Sequence, residues 1–180
     1  AAANAAPVIA LSASGELFTD RMAREWSRAS SLCLLCGHYE GIDQRAIDIL
    51  GAREISIGNF TTSGGEIAAL AVIDAVARYI PGVIGREASV EEESFVLPGG
   101  MLEYPHFTRP AVFEGREVPE VLRGGDHAAI AGWRAAEAIR RTARRRPDLM
   151  DEQKILQSAY GGIYLELKKE GVLNGQPNRD

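Results

Sequence analysis

Residues 54–80 read EISIGNFTTSGGEIAALAVIDAVARYI. EISIG is a short apolar run bounded by Gly51 and Gly58, which is how a buried strand reads. A glycine-rich loop follows it. EIAALAVIDAVARYI is apolar on nearly every face, so it predicts a buried helix rather than an amphipathic one, stopped by Pro81. The same alternation runs upstream. VIALS (Val8–Ser12) and LCLLC before Gly37 predict two more buried strands, with SASGE as a turn after the first. Thr19 predicts the cap of a helix through Arg21, Met22, Ala23, Trp26 and Ser27, and Asp43 or Gly41 opens another through Arg45, Ala46, Ile47 and Leu50. Strands that are apolar throughout and separated by helices indicate a mostly parallel α/β sheet.

Beyond Pro81 the character changes. GVIGREASVEEESFVLPGGM is rich in Gly and Glu and without a sustained period, so it reads as a mobile linker. From about Pro110 the sequence predicts helices. PEVLRGGDHAAIAGWRAAEAIRRTARRR has a cap at Asp126 and apolar spacing at Ile130, Trp133 and Ala138. A last helix is expected over Asp151–Lys169, and the tail GVLNGQPNRD is expected to be disordered. The organisation is therefore a domain over 1–86, a linker over 87–104 and a helical domain over 105–180.

The 180 residues are 46% hydrophobic and 25% charged, an ordinary globular composition. No run of about 18 apolar residues suggests a membrane span, and AAANAAPVIALS has neither the basic nor the apolar region of a signal peptide. Cys33 and Cys36 are the only cysteines. C-x-x-C spacing suits a redox couple or half a zinc site, but inside an apolar strand it reads first as two small core residues. Thiols without an export signal point to the cytoplasm. The net charge of -5 taken alone argues against nucleic acid. Its distribution does not: Trp133–Pro147 holds six arginines and one glutamate, while Glu87, Glu91, Glu92 and Glu93 crowd together upstream. A basic stretch of this kind is either a solvated helix face or a nucleic-acid footprint.

Four stretches in order carry a resemblance: LCGHYEGID, EISIGNFTTSGGE, ESF with LEYPHFTRP, and GGDHAAIAGWR with RRTARRRPDL. Together they resemble the TrmD family of tRNA (guanine-N1)-methyltransferases over most of residues 8–149. The resemblance implies a SPOUT-type fold, a parallel α/β domain with a deep trefoil knot, followed by a small helical C-terminal domain that helps hold tRNA. It implies a homodimer with each active site built from both subunits. It also implies methylation by S-adenosylmethionine of nitrogen 1 of the guanosine 3′ to the tRNA anticodon. A catalytically impaired fragment that only binds cofactor or RNA is the alternative.

By this resemblance the cofactor is held by three loops: Leu11 and Ser12; Gly37, Tyr39 and Glu40; and Ser56, Ile57, Gly58, Asn59, Phe60, Thr61 and Thr62 with Gly64 and Gly65. Methylating nitrogen 1 requires removal of its proton, so a general base and a cation near O6 are expected. The family places an aspartate before the Ser-Phe of its linker and an arginine at the end of the buried helix. Here those positions hold Glu93 and Arg78. Candidates for phosphate contact are Arg109, Arg140, Arg141, Arg144, Arg145 and Arg146. No metal-ligand cluster is assigned. Departures from the family pattern are Asn59 for aspartate, Ala13 for proline, His38 for arginine, and a longer linker at VLPGGM. Members also carry about half a domain before the VIALS strand, so the chain is expected to lack an N-terminal portion.

Overall fold

The structure, a computed structural model, describes residues 6–84 and 92–174. The chain divides into two compact units, Ala1–Glu87 and Ala88–Asp180.

The first unit is a three-stranded parallel sheet with helices between its strands. Strand β1 (Val8–Leu17) lies between β2 (Cys33–Cys36) and β3 (Arg53–Ser56), giving the order β2-β1-β3. The connecting helices are α1 (Asp20–Trp26), capped by Thr19, and α2 (Gln44–Leu50), capped by Asp43. Helix α3 (Glu66–Ala77) follows β3. Ile9, Leu11 and Ile55 of the sheet meet Met22, Ala23 and Trp26 of α1 and Ala68, Ala69, Val72 and Val76 of α3 in one core.

Three expectations are corrected in this unit. SASGE is not a turn. β1 runs on to Leu17, and its pairing with β3 jumps, so that both Leu11 and Glu16 oppose Ile55 while Ser12–Gly15 bulge out. Gly15 makes this possible, because a Cβ there would lie 2.4 Å from the Ile55 backbone nitrogen. Nor is β2 buried on both faces. It is an edge strand, with Cys33 exposed and Cys36 partly covered by the core. Helix α3, finally, is buried on one side only: Ile67, Leu70 and Ile73 are 61%, 64% and 50% exposed.

In the second unit the backbone runs through a 3-10 turn (Pro98–Gly100), then a small hairpin of β4 (Val112–Phe113) and β5 (Arg116–Glu117). Four helices follow: α4 (Glu120–Arg123), α5 (His127–Arg145), α6 (Glu152–Leu156) and α7 (Gly161–Lys169). Asp126 caps α5, its carboxylate accepting from the backbone N–H groups of Ala128 and Ala129.

The linker expected over 87–104 falls partly outside the described residues. Its described part, from Glu92 on, packs into the second unit: Leu97 and Met101 join Ala138, Ile139, Ile155, Tyr164 and Leu167 in one core, and Tyr104 is also buried. Thr142 of α5 stitches the segment down by accepting from Leu102 N at 2.9 Å while donating to Ala138 O. The hairpin interrupts the helical stretch expected from Pro110. The single helix expected over Asp151–Lys169 is two. Ser158 donates to Ile155 O and accepts from Tyr160 N, offering the backbone a turn in place of a helix. Gly161 then lets α7 sit against α6, since a Cβ would lie 2.5 Å from Leu156 O. Of the tail, Val172–Asn174 forms a 3-10 turn, and residues 175–180 lie outside the described residues. Among the described residues no helix is long and apolar enough to cross a membrane.

Candidate functional site

The bulge of β1 and the carboxyl ends of β2 and β3 open onto one cavity of about 490 Å³ in the first unit. Such a position, beside a central strand whose neighbours are reached by connections running opposite ways, is where open α/β sheets hold ligands. Leu11, Ser12, Gly37, Tyr39, Glu40, Ser56, Ile57, Phe60, Thr61, Thr62, Gly64 and Gly65 all line it. Of the residues expected from the sequence to hold a cofactor, only Gly58 and Asn59 stand outside the lining.

Local hydrogen bonds shape each loop. In the bulge of β1, the Ser12 and Ser14 hydroxyls meet at 2.7 Å, and Ser14 Oγ donates to Glu54 Oε1 at 3.4 Å. After β2, Gly41 N donates to His38 O, which closes a turn with Tyr39 left-handed at φ 57°. After β3, Ser56 Oγ donates to Gly58 O at 2.9 Å, and Thr62 Oγ1 donates to Gly64 O at 2.8 Å.

The second and third loops are joined. Gly65 N donates to Gly37 O at 2.9 Å, and a Cβ on Gly65 would lie 2.7 Å from Cys36 Cα, so glycine permits this approach. His38 Nε2 sits 2.6 Å from Glu66 Oε1. The Glu66 carboxyl is held below the usual range, first by its own backbone N–H at the start of α3 and then by His38.

The lining residues include Glu40 and Glu54 and the apolar Leu11, Ile55, Ile57 and Ala68, and among the described residues no Lys, Arg or His. An acidic cavity of this size suits a ligand with cationic groups and apolar surface, and it disfavours a phosphate-bearing one. Sequence reading missed Glu54 and Gln44. Neither has a local signal, because β3 and α2 bring them to the cavity only when the sheet forms.

The family model for tRNA (guanine-1)-methyltransferase TrmD matches residues 1–152. The chain belongs to the TrmD family. A tRNA (guanine-N(1)-)-methyltransferase of Exiguobacterium sibiricum is 50% identical over 161 residues, covering 86% of this chain and 66% of the relative. The Desulfitobacterium hafniense protein of that name is 54% identical over 142 residues, 79% of this chain and 53% of the relative. The Chloroflexus aggregans one is 54% identical over 144 residues, with 80% and 55% covered. The chain therefore spans about half to two thirds of the length of these TrmD relatives.

The two residues that the TrmD resemblance nominates for chemistry lie in different units. Arg78 is the C-cap of α3, and its backbone N–H donates to Asp74 O. Glu93 lies in the turn before Leu97, half-buried, its carbonyl accepting from Val96 N and Leu97 N. Its neighbour Glu92 accepts from the Tyr104 hydroxyl at 2.9 Å and from Arg134 at 3.3 Å. Burial first, and then the bond to Glu92, push the Tyr104 hydroxyl up to about 12. Glu91 and Glu87 lie outside the described residues.

This shift carries a pH dependence. The unfolded chain releases the Tyr104 proton near pH 10, and the folded chain holds it to about 12. Between those values the folded state binds more protons, so the stabilisation, complete below pH 10, is lost as pH rises through the window. Denaturant titrations from pH 9 to 12 are expected to show a shallower fall in Tyr104→Phe than in the parent chain.

Of the arginines expected from the sequence to contact phosphate, Arg109, Arg144 and Arg145 are exposed and Arg141 half-buried. Arg140 pairs with Glu137 at 2.9 Å and Arg146 with Asp148 at 2.7 Å. The Arg146 pair is solvent-exposed and therefore weak, whereas the Arg140 pair is part-buried. Among the described residues no group of three or more His, Cys, Asp or Glu is placed to hold a metal ion.

Proposed function

We propose that this chain carries the methyl-transfer machinery of a tRNA (guanine-N1)-methyltransferase that uses S-adenosylmethionine on the guanosine 3′ to the anticodon. The observation that carries the reading is the convergence of three motif loops on one acidic cavity in a chain of the TrmD family. When bound, S-adenosylmethionine supplies an electrophilic sulfonium methyl. Glu40 and Glu54 favour its cationic groups, and the glycines of the second and third loops admit its adenosine against the backbone. Glu93 takes the proton from nitrogen 1 of the guanine, and Arg78 stabilises the charge that develops at O6. The target base leaves its stack to reach them, and Arg109 with the α5 arginines grips the phosphates.

The first unit takes the SPOUT topology, with its trefoil knot in the loops around the cavity, and the enzyme works in the cytoplasm. The apolar stripe of Ile67, Leu70 and Ile73 on α3 supports a two-fold homodimer. Sedimentation at micromolar concentration is expected to give a dimer, and Leu70→Glu a monomer. A parent chain that sediments as a clean monomer would refute the assembly.

The enzymatic reading is tested by incubating the chain with labelled S-adenosylmethionine and unmodified tRNA transcript. Label is expected in 1-methylguanosine 3′ to the anticodon, and calorimetry is expected to show cofactor binding that Glu40→Ala weakens. A folded chain that binds cofactor but transfers no methyl group would be a binding fragment only.

A further inference from the structure

The Glu92 carboxylate is tied down by two groups from elsewhere in the second unit. Its Oε2 accepts from the Tyr104 hydroxyl at 2.9 Å and from Arg134 Nη1 of α5 at 3.3 Å. The Arg134 guanidinium also lies over the Tyr104 ring, 4.7 Å from its centroid, so the three side chains close a triangle. Tyr104 is only 8% exposed, which fixes that corner. The Nε of Arg134 is buried with no hydrogen-bond partner among the described residues, so the guanidinium is held there at a cost that its contacts to Glu92 and Tyr104 offset.

Ser94 and Phe95 are fastened to the segment just before Tyr104. Ser94 Oγ accepts from Glu103 N at 3.1 Å, and Phe95 N donates to Met101 O at 2.8 Å. Phe95 has φ 72°, a left-handed conformation that is costly for an aromatic residue and persists only where neighbours enforce it. Glu93 thus sits between residues that are held from elsewhere in the second unit, and this restrains its own backbone.

We propose that Tyr104 and Arg134 are positioning residues for Glu93: by holding the Glu92 carboxylate they lock the Glu92–Phe95 turn and aim the adjacent carboxylate. The inference rests on the reading of Glu93 as proton acceptor. Misplacing a catalytic group by about 1 Å can cost two orders of magnitude, so a loosened turn lowers kcat while leaving substrate binding intact.

Steady-state kinetics with S-adenosylmethionine and tRNA transcript, in a double-mutant cycle, test it. Tyr104→Phe keeps the ring and core packing but removes the donor. It is expected to lower kcat about tenfold or more, with KM for both substrates within about twofold. Glu92→Ala behaves likewise, and Glu92→Gln, which keeps an acceptor, recovers most of the rate. On a Glu93→Gln background Tyr104→Phe causes little further loss, because the group it aims is gone. An equal loss on both backgrounds, or full kcat in Tyr104→Phe, overturns the positioning role and leaves Glu93 as base. A Glu93→Gln enzyme at the parent rate overturns the base assignment itself, and the positioning role with it.

Discussion

Glu93→Gln is expected to lower the rate of methyl transfer by about 10²-fold or more, the scale for losing a general base, while cofactor and tRNA binding persist. The substitution is isosteric and removes the carboxylate's negative charge, and with it the proposed capacity to accept the nitrogen 1 proton. Glu93 is half-buried in a turn, its carbonyl bonded to Val96 N and Leu97 N, so the backbone has reason to stay in place. Glu93→Asp is expected to be tolerated, since it restores the carboxylate that the family pattern places before Ser-Phe. Arg78→Ala is also expected to slow transfer, by removing the cation proposed to stabilise charge at O6. Single-turnover measurements with saturating cofactor separate these losses from changes in binding. If Glu93→Gln stays active while Glu92→Gln abolishes transfer, the proton acceptor is one residue earlier and the register is wrong. If both stay active, the acceptor lies outside the described part of the segment.

Ile55→Ala is expected to destabilise the first unit by about 2–5 kcal/mol, the usual range for truncating a buried isoleucine. Ile55 has no exposed surface and sits where β1 jumps register, opposite both Leu11 and Glu16. The core it shares with Ile9, Trp26 and Val72 is bounded by paired backbone, so a cavity left there cannot readily collapse. Ile49→Ala on α2 is the control: at 84% exposure it is expected to change stability by no more than about 0.5 kcal/mol. Urea unfolding followed by fluorescence measures both. A Trp133→Phe background leaves Trp26, buried in the first core, as the sole tryptophan and reporter. A loss at Ile55 no larger than at Ile49 would mean that the register jump is not packed as described.

The sequence by itself determined the elements whose causes are local. Thr19, Asp43 and Asp126 each cap a helix through a bond to an N–H two or three residues on, so a few adjacent letters suffice. The alternation of apolar strands with helices gave the parallel sheet for a similar reason, since a strand that reads apolar on both faces wants cover on both. The motif loops were legible as a set, and most of their residues do share one cavity. Tertiary structure decided the rest. Nothing in SASGE reveals that Gly15 will pass within contact of Ile55, nor in EISIG that Glu54 will face the same cavity as Glu40, because the partners lie tens of residues away. Apolarity marked α3 but not which side of it the sheet would take, leaving Ile67, Leu70 and Ile73 outside. The acidic segment looked like a mobile linker because its period is absent. Its described part is ordered instead by single long-range ties, Glu92 to Tyr104 and Arg134, and Leu102 to Thr142. Such ties leave no periodic trace, because each is one side chain meeting one distant partner after the chain has folded.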